Sequence, residues 1–292
     1  MSFRLITDSS SNLPTPYINA NDISLVYFSY IFNGTEYVCK DTETFDGDTY
    51  YRAIKSGAKV TTSQVTPAQY IDVFRPFLEK GQDILFISMS SGISGSFNSA
   101  NMAKQELEED FPDRRILLFD TLAASLGQSF FIRKAVECRN AGMTVEETEA
   151  ELLKIRPCLY QHVMLGDIMY LMKTGRVSAP KALIGAILGI RPILKGSPEG
   201  TLVMIGRAKG RKAAIKALVD KYAEVVDREN NKYVGIAYTS SEEDAKELAE
   251  KLKEISAPEE FEIVRYEPVT GSHVGPDTVA VFYLGKDNAR TL

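Results

Sequence analysis

Three short runs within the first 120 residues are apolar at almost every position, and small polar residues follow each run at once. The runs are 3–6, 84–87 and 116–119, and the polar residues are Asp8 to Ser11, Ser88 to Ser96, and Asp120 with Thr121. A strand that is apolar on both faces is typical of a parallel sheet covered by helices. Amphipathic stretches over 67–79 and from about residue 94 supply such helices. We therefore predict an α/β fold that begins with a Rossmann-like parallel sheet.

The second half alternates strand-like and helix-like segments and predicts a C-terminal α/β domain with a mixed sheet. A helical stretch over 127–155 is interrupted near Gly142, and Thr144 with Glu147 forms a capping-box pattern for its second part. Because Pro157 ends this stretch, we expect domains over 1–157 and 158–292. Strand patterns follow at 160–165, 193–195, 201–205, 233–238, 262–266 and 279–284, and helix patterns at 179–188, 211–226 and 242–255.

The composition of the chain argues against several classes of protein. The net charge of −5 lacks the basic footprint of a dedicated nucleic-acid binder, and 44% hydrophobic residues exclude a disordered chain. The first ten residues do not resemble a signal peptide, and no apolar run approaches the roughly 20 residues that span a bilayer. Three scattered cysteines without a CxxC motif suggest neither a disulfide framework nor a zinc site. We expect a soluble, cytoplasmic protein without a metal or cofactor.

The polar residues that follow the strands are mostly hydroxyls and predict a ligand site. In open α/β sheets ligands bind at the carboxyl edge, and the segment 60–64 is a candidate fourth contributor to that edge. The segment 88–96 holds five serines and two glycines before a helix, an arrangement that suits an anion at a helix N-terminus. Its alternative interpretation is a tight turn with a serine N-cap. Neutral donors suit a carboxylate or phosphate better than proton abstraction.

A serine hydrolase is the main rival from a different class. Ser94 would be its nucleophile, His273 its base and Asp120 the residue that orients the base. The nucleophile elbow requires glycine where Ser96 stands, and no lysine follows the glycines to make a phosphate-binding P-loop. His273 lies in a Gly/Pro-rich segment, 270–278, where it either contacts a ligand or caps a turn. The other histidine, His162, follows a strand pattern typical of a core residue.

Isolated cations allow a third interpretation. Arg176 follows a glycine, and Arg207 opens a basic run that continues through Lys209, Arg211 and Lys212 into a helix. Positive charge at a helix N-terminus is unfavourable unless an anion lies there, so the basic run indicates a candidate anion site. If the anion is a phosphorylated metabolite, the protein would be a phospho-ligand sensor that uses Arg176 and Arg207. The alternative is a solvated charged surface.

Five motifs in order resemble the DegV family over the whole chain. They are Ile6 to Pro14 (ITDSSSNLP), Thr61 to Pro67 (TTSQVTP), Ser90 to Ser96 (SSGISGS), Gly175 to Ser178 (GRVS) and His273 to Pro276 (HVGP). Within the family the chain is similar to the fatty-acid-binding component of bacterial fatty acid kinases. The resemblance implies a two-domain α/β protein that holds one long-chain fatty acid between its domains.

The resemblance also implies roles for individual residues. Thr62, Ser94 and His273 would bind the fatty-acid carboxylate, while Arg176, Arg207 and Ser96 would contact the anion or a partner, with Arg211 a looser match. A separate kinase subunit that carries ATP would phosphorylate the bound fatty acid. The chain itself would be a lipid-binding protein and not an enzyme, without a cofactor and without nucleic acid as a partner.

Two details remain open at this point. The family motif usually reads His-x-Gly-Pro-Gly, whereas Asp277 occupies the last position here and adds a negative charge near the expected anion site. Asp277 could orient His273 or point away from it. Candidate tunnel residues near the motifs are Ile93, Phe97, Ile187 and Ile190. The apolar helix expected over 179–188, with the small Gly185 within it and Gly189 directly after it, fits either close packing or transient contact with a membrane surface.

Overall fold

The computed structural model describes residues 3–178 and 189–286. Its strands are β1 (Arg4–Asp8), β2 (Ser24–Val26), β3 (Ser29–Phe32), β4 (Thr35–Val38), β5 (Val60–Ser63), β6 (Ile84–Ser88), β7 (Ile116–Asp120), β8 (Leu159–Met164), β9 (Val177–Ser178), β10 (Ile190–Gly196), β11 (Leu202–Lys209), β12 (Tyr233–Tyr238), β13 (Glu260–Arg265) and β14 (Val279–Leu284). Its α-helices are α1 (Thr15–Ala20), α2 (Gly47–Lys55), α3 (Pro67–Leu78), α4 (Ser96–Asp110), α5 (Leu126–Asn140), α6 (Val145–Ile155), α7 (Met169–Thr174), α8 (Arg211–Val225), α9 (Glu242–Ser256) and α10 (Pro268–Val274).

The three apolar runs form β1, β6 and β7, which together with β2 make one parallel sheet in the order β2-β1-β6-β7. Every residue of β6 is buried, because helices cover both faces of this sheet. The helix α3 begins with a capping box in which Thr66 and Gln69 satisfy each other's backbone N–H groups. The polar residues after β1, β6 and β7 therefore meet at one sheet edge, as the sequence predicts.

A separate antiparallel sheet has the order β4-β3-β5. The segment 60–64 was expected to add a fourth carboxyl edge to the parallel sheet. That expectation is wrong, because β5 pairs with β3 and Thr62 lies opposite Tyr30 in that pair. The separate sheet brings β5 near α10, so Thr62 reaches the site from another direction.

The C-terminal sheet is mixed and has the order β13-β12-β14-β8-β10-β11-β9. Its outer pairs β12–β13 and β9–β11 are parallel, and the pairs between them are antiparallel. The helix α5 contacts strands of both the N-terminal parallel sheet and the C-terminal sheet. The predicted fold class, a parallel N-terminal α/β part followed by an α/β part with a mixed sheet, is confirmed.

The helical stretch predicted over 127–155 divides as expected. The first part ends at Asn140, and α6 begins after a capping box in which Thr144 accepts from the Glu147 backbone N–H. The boundary at 157/158 stays a prediction. The helix expected over 179–188, including Gly185 and Ile187, lies outside the described residues. Within the described residues, no helix is both long and apolar enough to cross a bilayer.

Candidate functional site

A cavity of about 350 Å³ lies between the N-terminal sheets and the C-terminal sheet. Both halves of the chain contribute apolar side chains to its wall, among them Phe28, Met89, Ile93, Leu122, Val163, Leu171, Leu202, Val269, Val274 and Phe282. The cavity is also lined by four residues that the sequence predicts as site residues, namely Thr62, Ser94, Arg176 and His273. An apolar chamber with a few polar groups is the usual form of a small-molecule site.

The hydroxyl of Thr62 meets the imidazole of His273 across 211 residues of sequence. The distance from Thr62 Oγ1 to His273 Nε2 is 2.9 Å, and His273 Nδ1 is buried with no hydrogen-bond partner among the described residues. Burial, reinforced by the positive charge of Arg176, lowers the pKa of His273 to about 4. The imidazole is therefore neutral near pH 7 and offers hydrogen bonds to a ligand without carrying a charge.

His273 lies in the last turn of α10 and not in the open turn expected for 270–278. Glu267 caps this helix, and its carboxylate accepts from the backbone N–H groups of Val269 and Thr270 at 2.6 Å each. Gly275 ends the helix with φ +77°, and a Cβ at that position would lie 2.3 Å from the ring of Tyr170. The close approach and the positive φ both require glycine there.

Ser94 lies in the loop that follows β6, next to the N-terminus of α4. Its hydroxyl donates to Ser96 Oγ at 3.0 Å and accepts from the Ser96 backbone N–H at 3.2 Å. Ser96 in turn accepts from the backbone N–H of Val65 at 3.1 Å, just after β5. Ser96 itself is buried and does not line the cavity. It joins the loop that carries Ser94 to the strand that carries Thr62.

The loop after β7 forms a part of the cavity wall that the sequence reasoning missed. Leu122, Ala123 and Ala124 line the cavity, and Leu122 has a positive φ of 53°. Asp120 fixes this loop by accepting from the backbone N–H groups of Leu122 at 3.0 Å and Ser91 at 3.2 Å. Their position shortly after β7 is the sequence signal for these residues, since apolar as well as polar side chains at the carboxyl edge of a sheet can line a ligand site.

The hydrolase arrangement is not assembled. Its three members do not form the required chain of hydrogen bonds, because Ser94 pairs with Ser96, His273 pairs with Thr62, and Asp120 binds backbone N–H groups. A triad needs a base in contact with the nucleophile and an acid on the other ring nitrogen. The geometry therefore argues against Ser94 as an activated nucleophile.

The cations divide between the cavity and the surface. Arg176 lines the cavity and donates from Nε to the carbonyl of Ile93 at 3.1 Å. Arg207 is exposed on β11 and does not line the cavity, and the side chain of Arg211 pairs with Asp244. The cavity and the basic run are thus separate features of the molecule.

Asp277 pairs with Lys55 at 2.7 Å and does not line the cavity that His273 lines. The remaining candidates have mixed outcomes. Ile93 lines the cavity, whereas Phe97 and Ile190 do not. His162 is buried within the C-terminal sheet and pairs with Tyr283 Oη at 2.9 Å, as expected for a core histidine. No group of His, Cys, Asp and Glu within residues 3–178 and 189–286 is arranged to hold a metal ion.

Comparison with known proteins gives matches over nearly the whole chain. A family model described as "Uncharacterised protein, DegV family" matches residues 2–286. A DegV domain-containing protein of Lactococcus lactis is 30% identical over 98% of this chain and 99% of its own length. A DegV domain-containing protein of Streptococcus pyogenes is 32% identical over 99% of this chain and 100% of its own length.

Solved structures agree with this assignment. A DegV family protein of Thermus thermophilus, described as fatty acid binding, superposes with a TM-score of 0.86 at 26% identity, over 98% of this chain and all of that one. A fatty acid binding DegV family protein of Streptococcus agalactiae gives 0.85 at 26% identity with the same coverage. The motifs, the order of the strands and these matches agree, and the chain belongs to the DegV family.

Proposed function

We propose that this protein binds a long-chain fatty acid in the cavity between its two halves, with the carboxylate at Thr62, Ser94 and His273. The observation that carries the proposal is the Thr62–His273 pair, which forms a polar corner of an otherwise mainly apolar cavity. Ser94 and Arg176 line the same cavity. A ligand with one anionic head and a long apolar tail matches this distribution of polar and apolar groups.

The chemistry of this corner suits an ionised carboxylate. In the tautomer with the proton on Nε2, His273 donates to Thr62 Oγ1 and acts on the ligand through it, because the Thr62 hydroxyl proton is then free to point at a carboxylate oxygen. Ser94 can turn its hydroxyl proton from Ser96 toward the same ligand. Hydrogen bonds from neutral donors to a carboxylate are charge-assisted and are stronger than those between neutral groups. The charge of Arg176 adds to the attraction of the anion.

The apolar wall supplies most of the binding free energy. Each buried CH₂ group contributes about 0.8 kcal/mol, so a sixteen-carbon chain offers on the order of 12 kcal/mol before the costs of association. Fatty acid binding is described for the Thermus thermophilus and Streptococcus agalactiae relatives, and a relative from Ruminococcus gnavus was refined with vaccenic acid. The same ligand class is proposed for this chain.

We further propose that the bound carboxylate is presented to a separate ATP-dependent kinase subunit. In that reaction a carboxylate oxygen forms a bond to the γ-phosphorus of ATP while the bond to the leaving ADP breaks. The nucleophile is already an anion, so this chain needs no general base. Its role is to hold the carboxylate still. The exposed Arg207 is the residue we propose for contact with the kinase subunit.

Mass spectrometry of the purified protein under native conditions, followed by organic extraction, tests the ligand. A bound species of fatty-acid mass that is lost on denaturation supports the proposal and gives the chain length. The variant Thr62→Val with Ser94→Ala should retain less of it, whereas Thr61→Val, on the exposed side of the same strand, should retain it fully. A protein that is empty and also fails to take up added fatty acid would contradict the proposal.

Acyl phosphate formation with added kinase subunit and ATP tests the partner separately. The double variant should slow the reaction through weaker binding of the fatty acid. A substitution of Arg207 by Ala should slow it without changing fatty-acid retention. If the purified protein with bound fatty acid gives no acyl phosphate with any kinase subunit that accepts related carriers, the partner is wrong while the ligand stands.

A further inference from the structure

Glu267 is a buried carboxyl group that contacts the helix of His273 and is no part of the proposed ligand contacts. Its side chain is only 2% exposed, and its two oxygens each accept one N–H group from the first turn of α10. Its carboxylate thereby satisfies two of the N–H groups that a helix start leaves unpaired. His273 follows this cap by six positions and lies in the last turn of the same helix.

The helix depends on such outside support because it has only seven residues. Isolated helices of this length are unstable in water, so tertiary contacts decide where α10 lies. Asn12 accepts from the backbone N–H of Glu267 at 2.9 Å and donates to the carbonyl of Arg265 at 2.7 Å. Tyr50 donates to the carbonyl of Pro268 at 2.9 Å. Two residues of the N-terminal half of the chain thus hold the start of α10 in place through hydrogen bonds.

A buried acid at this position is an unfavourable way to cap a helix. Burial, with a smaller contribution from the nearby Asp8, raises the pKa of Glu267 to about 7. Serine, threonine, aspartate and asparagine are the usual caps and need no such burial. The longer glutamate reaches both N–H groups at 2.6 Å from a fully enclosed position. The burial of Glu267 therefore lowers the stability of the folded protein, while its two hydrogen bonds fix the orientation of α10.

We propose that Glu267 is a positioning residue, which caps α10 and thereby holds His273 against Thr62 in the ligand cavity. This inference rests on the proposed function only in its last step, the use of His273 by a carboxylate ligand. The position of His273 is a property of the protein and can be measured without the ligand.

The test compares three substitutions of Glu267 with a matched cap elsewhere. Glu267→Ala removes both acceptors, Glu267→Gln keeps one oxygen, and Glu267→Asp keeps a carboxylate that is a good cap. Thr144→Ala is the control, because Thr144 caps α6 and does not line the cavity. Nitrogen-15 spectra of the two histidines report the protonation of His273 at about pH 6. His162, in its contact with Tyr283, serves as an internal reference.

In the wild type His273 should be neutral at this pH, since its pKa is about 4. With Glu267→Ala it should lose its burial and be mostly protonated, because its ordinary pKa is 6.5. Fatty-acid affinity should fall by about tenfold, the size of a lost cap. Glu267→Asp should restore both readouts, and Glu267→Gln should lie between them. Thr144→Ala should lower the melting temperature and leave His273 unchanged.

Two results would overturn the inference. In the first, Glu267→Ala has a lower melting temperature, as the control does, but its His273 spectrum is unchanged. Glu267 would then contribute to stability alone and not to the position of His273. The other, if Glu267→Ala does not fold, is a wild-type His273 spectrum in Glu267→Leu, which fills similar space but has no atom that accepts the two N–H groups. A wild type that binds no fatty acid, although His273 responds to Glu267, would refute the proposed ligand and leave the positioning role intact.

Discussion

Replacing Thr62 by Val isolates the hydrogen bond at the centre of the proposed site. Valine has nearly the same shape as threonine and is equally suited to a strand, so β5 should form as before. The substitution removes the Thr62 hydroxyl, which lies 2.9 Å from Nε2 of His273. Since Nδ1 of His273 is already unpartnered among the described residues, both nitrogens of a buried ring would then lack a partner.

The expected loss of stability follows from that arrangement. A buried polar group left without its hydrogen bond costs about 1–3 kcal/mol. For a chain of this size 1 kcal/mol corresponds to about 2–4 °C in Tm, so Tm should fall by about 5 °C. Fatty-acid affinity should fall by about tenfold or more, because the hydroxyl that would donate to the carboxylate is lost as well.

Thermal unfolding of the delipidated protein measures the first effect, and titration with a fatty acid measures the second. Thr61→Val is the control, because Thr61 is exposed on the same strand and does not line the cavity. Its Tm should stay within about 1 °C of the wild type, as for most surface substitutions. If both variants melt at the wild-type temperature, or both lose the same amount, the Thr62–His273 contact has no energetic role and the reasoning fails.

Three further predictions follow from other contacts. Because burial raises the pKa of Glu267 from 4.5 to about 7, this group ionises first in the unfolded chain, and the free energy of unfolding should fall by about 3 kcal/mol as pH rises through that interval. Urea unfolding at about pH 5 and pH 8 should show Glu267→Gln gaining on the wild type at the higher pH; a constant difference would contradict the shift. Gly271→Ala should lower Tm despite alanine's helix propensity, since its Cβ would lie 1.8 Å from Tyr51 Oη; an unchanged Tm would mean that Tyr51 moves freely. A fluorophosphonate probe should leave Ser94 unlabelled in the folded protein. Labelling of Ser94 that requires His273 would instead support the serine hydrolase function.

Local patterns were sufficient to predict three of the four strands of the parallel sheet, β1, β6 and β7, and several helix boundaries. The apolar runs at 84–87 and 116–119 form β6, which is buried at every position, and β7, which is partly buried at the edge of the same sheet. The capping box at Thr144 predicts the start of α6, since its two hydrogen bonds join residues only three apart. Predictions of this kind depend on neighbours in sequence alone.

The arrangement of the site depends on contacts between distant segments. A strand pattern at 60–64 does not reveal that its partner is β3 and not the parallel sheet. The short helix α10 carries a Gly/Pro-rich sequence typical of a turn, and contacts with Asn12 and Tyr50 hold it in place. The family resemblance supplied Thr62 and His273 as neighbours, and the residues alone did not. Glu267 carried no signal, because a single glutamate before a proline is ordinary.

The charge of the site explains why Asp277 is compatible with an anion. At neutral pH the imidazole of His273 carries no charge, so within residues 3–178 and 189–286 Arg176 is the cation that lines the cavity beside it. A free carboxylate at Asp277 facing the same cavity would compete with the ligand for that cation. Its side chain instead pairs with Lys55 outside the cavity, and its φ of +59° is one that aspartate tolerates better than most residues. Removing Lys55 should therefore weaken fatty-acid binding only slightly, whereas removing Arg176 should weaken it strongly. If Lys55→Ala and Arg176→Ala weakened binding equally in a fatty-acid titration, the two cations would contribute equally to the electrostatic attraction of the ligand, and the prediction would be wrong.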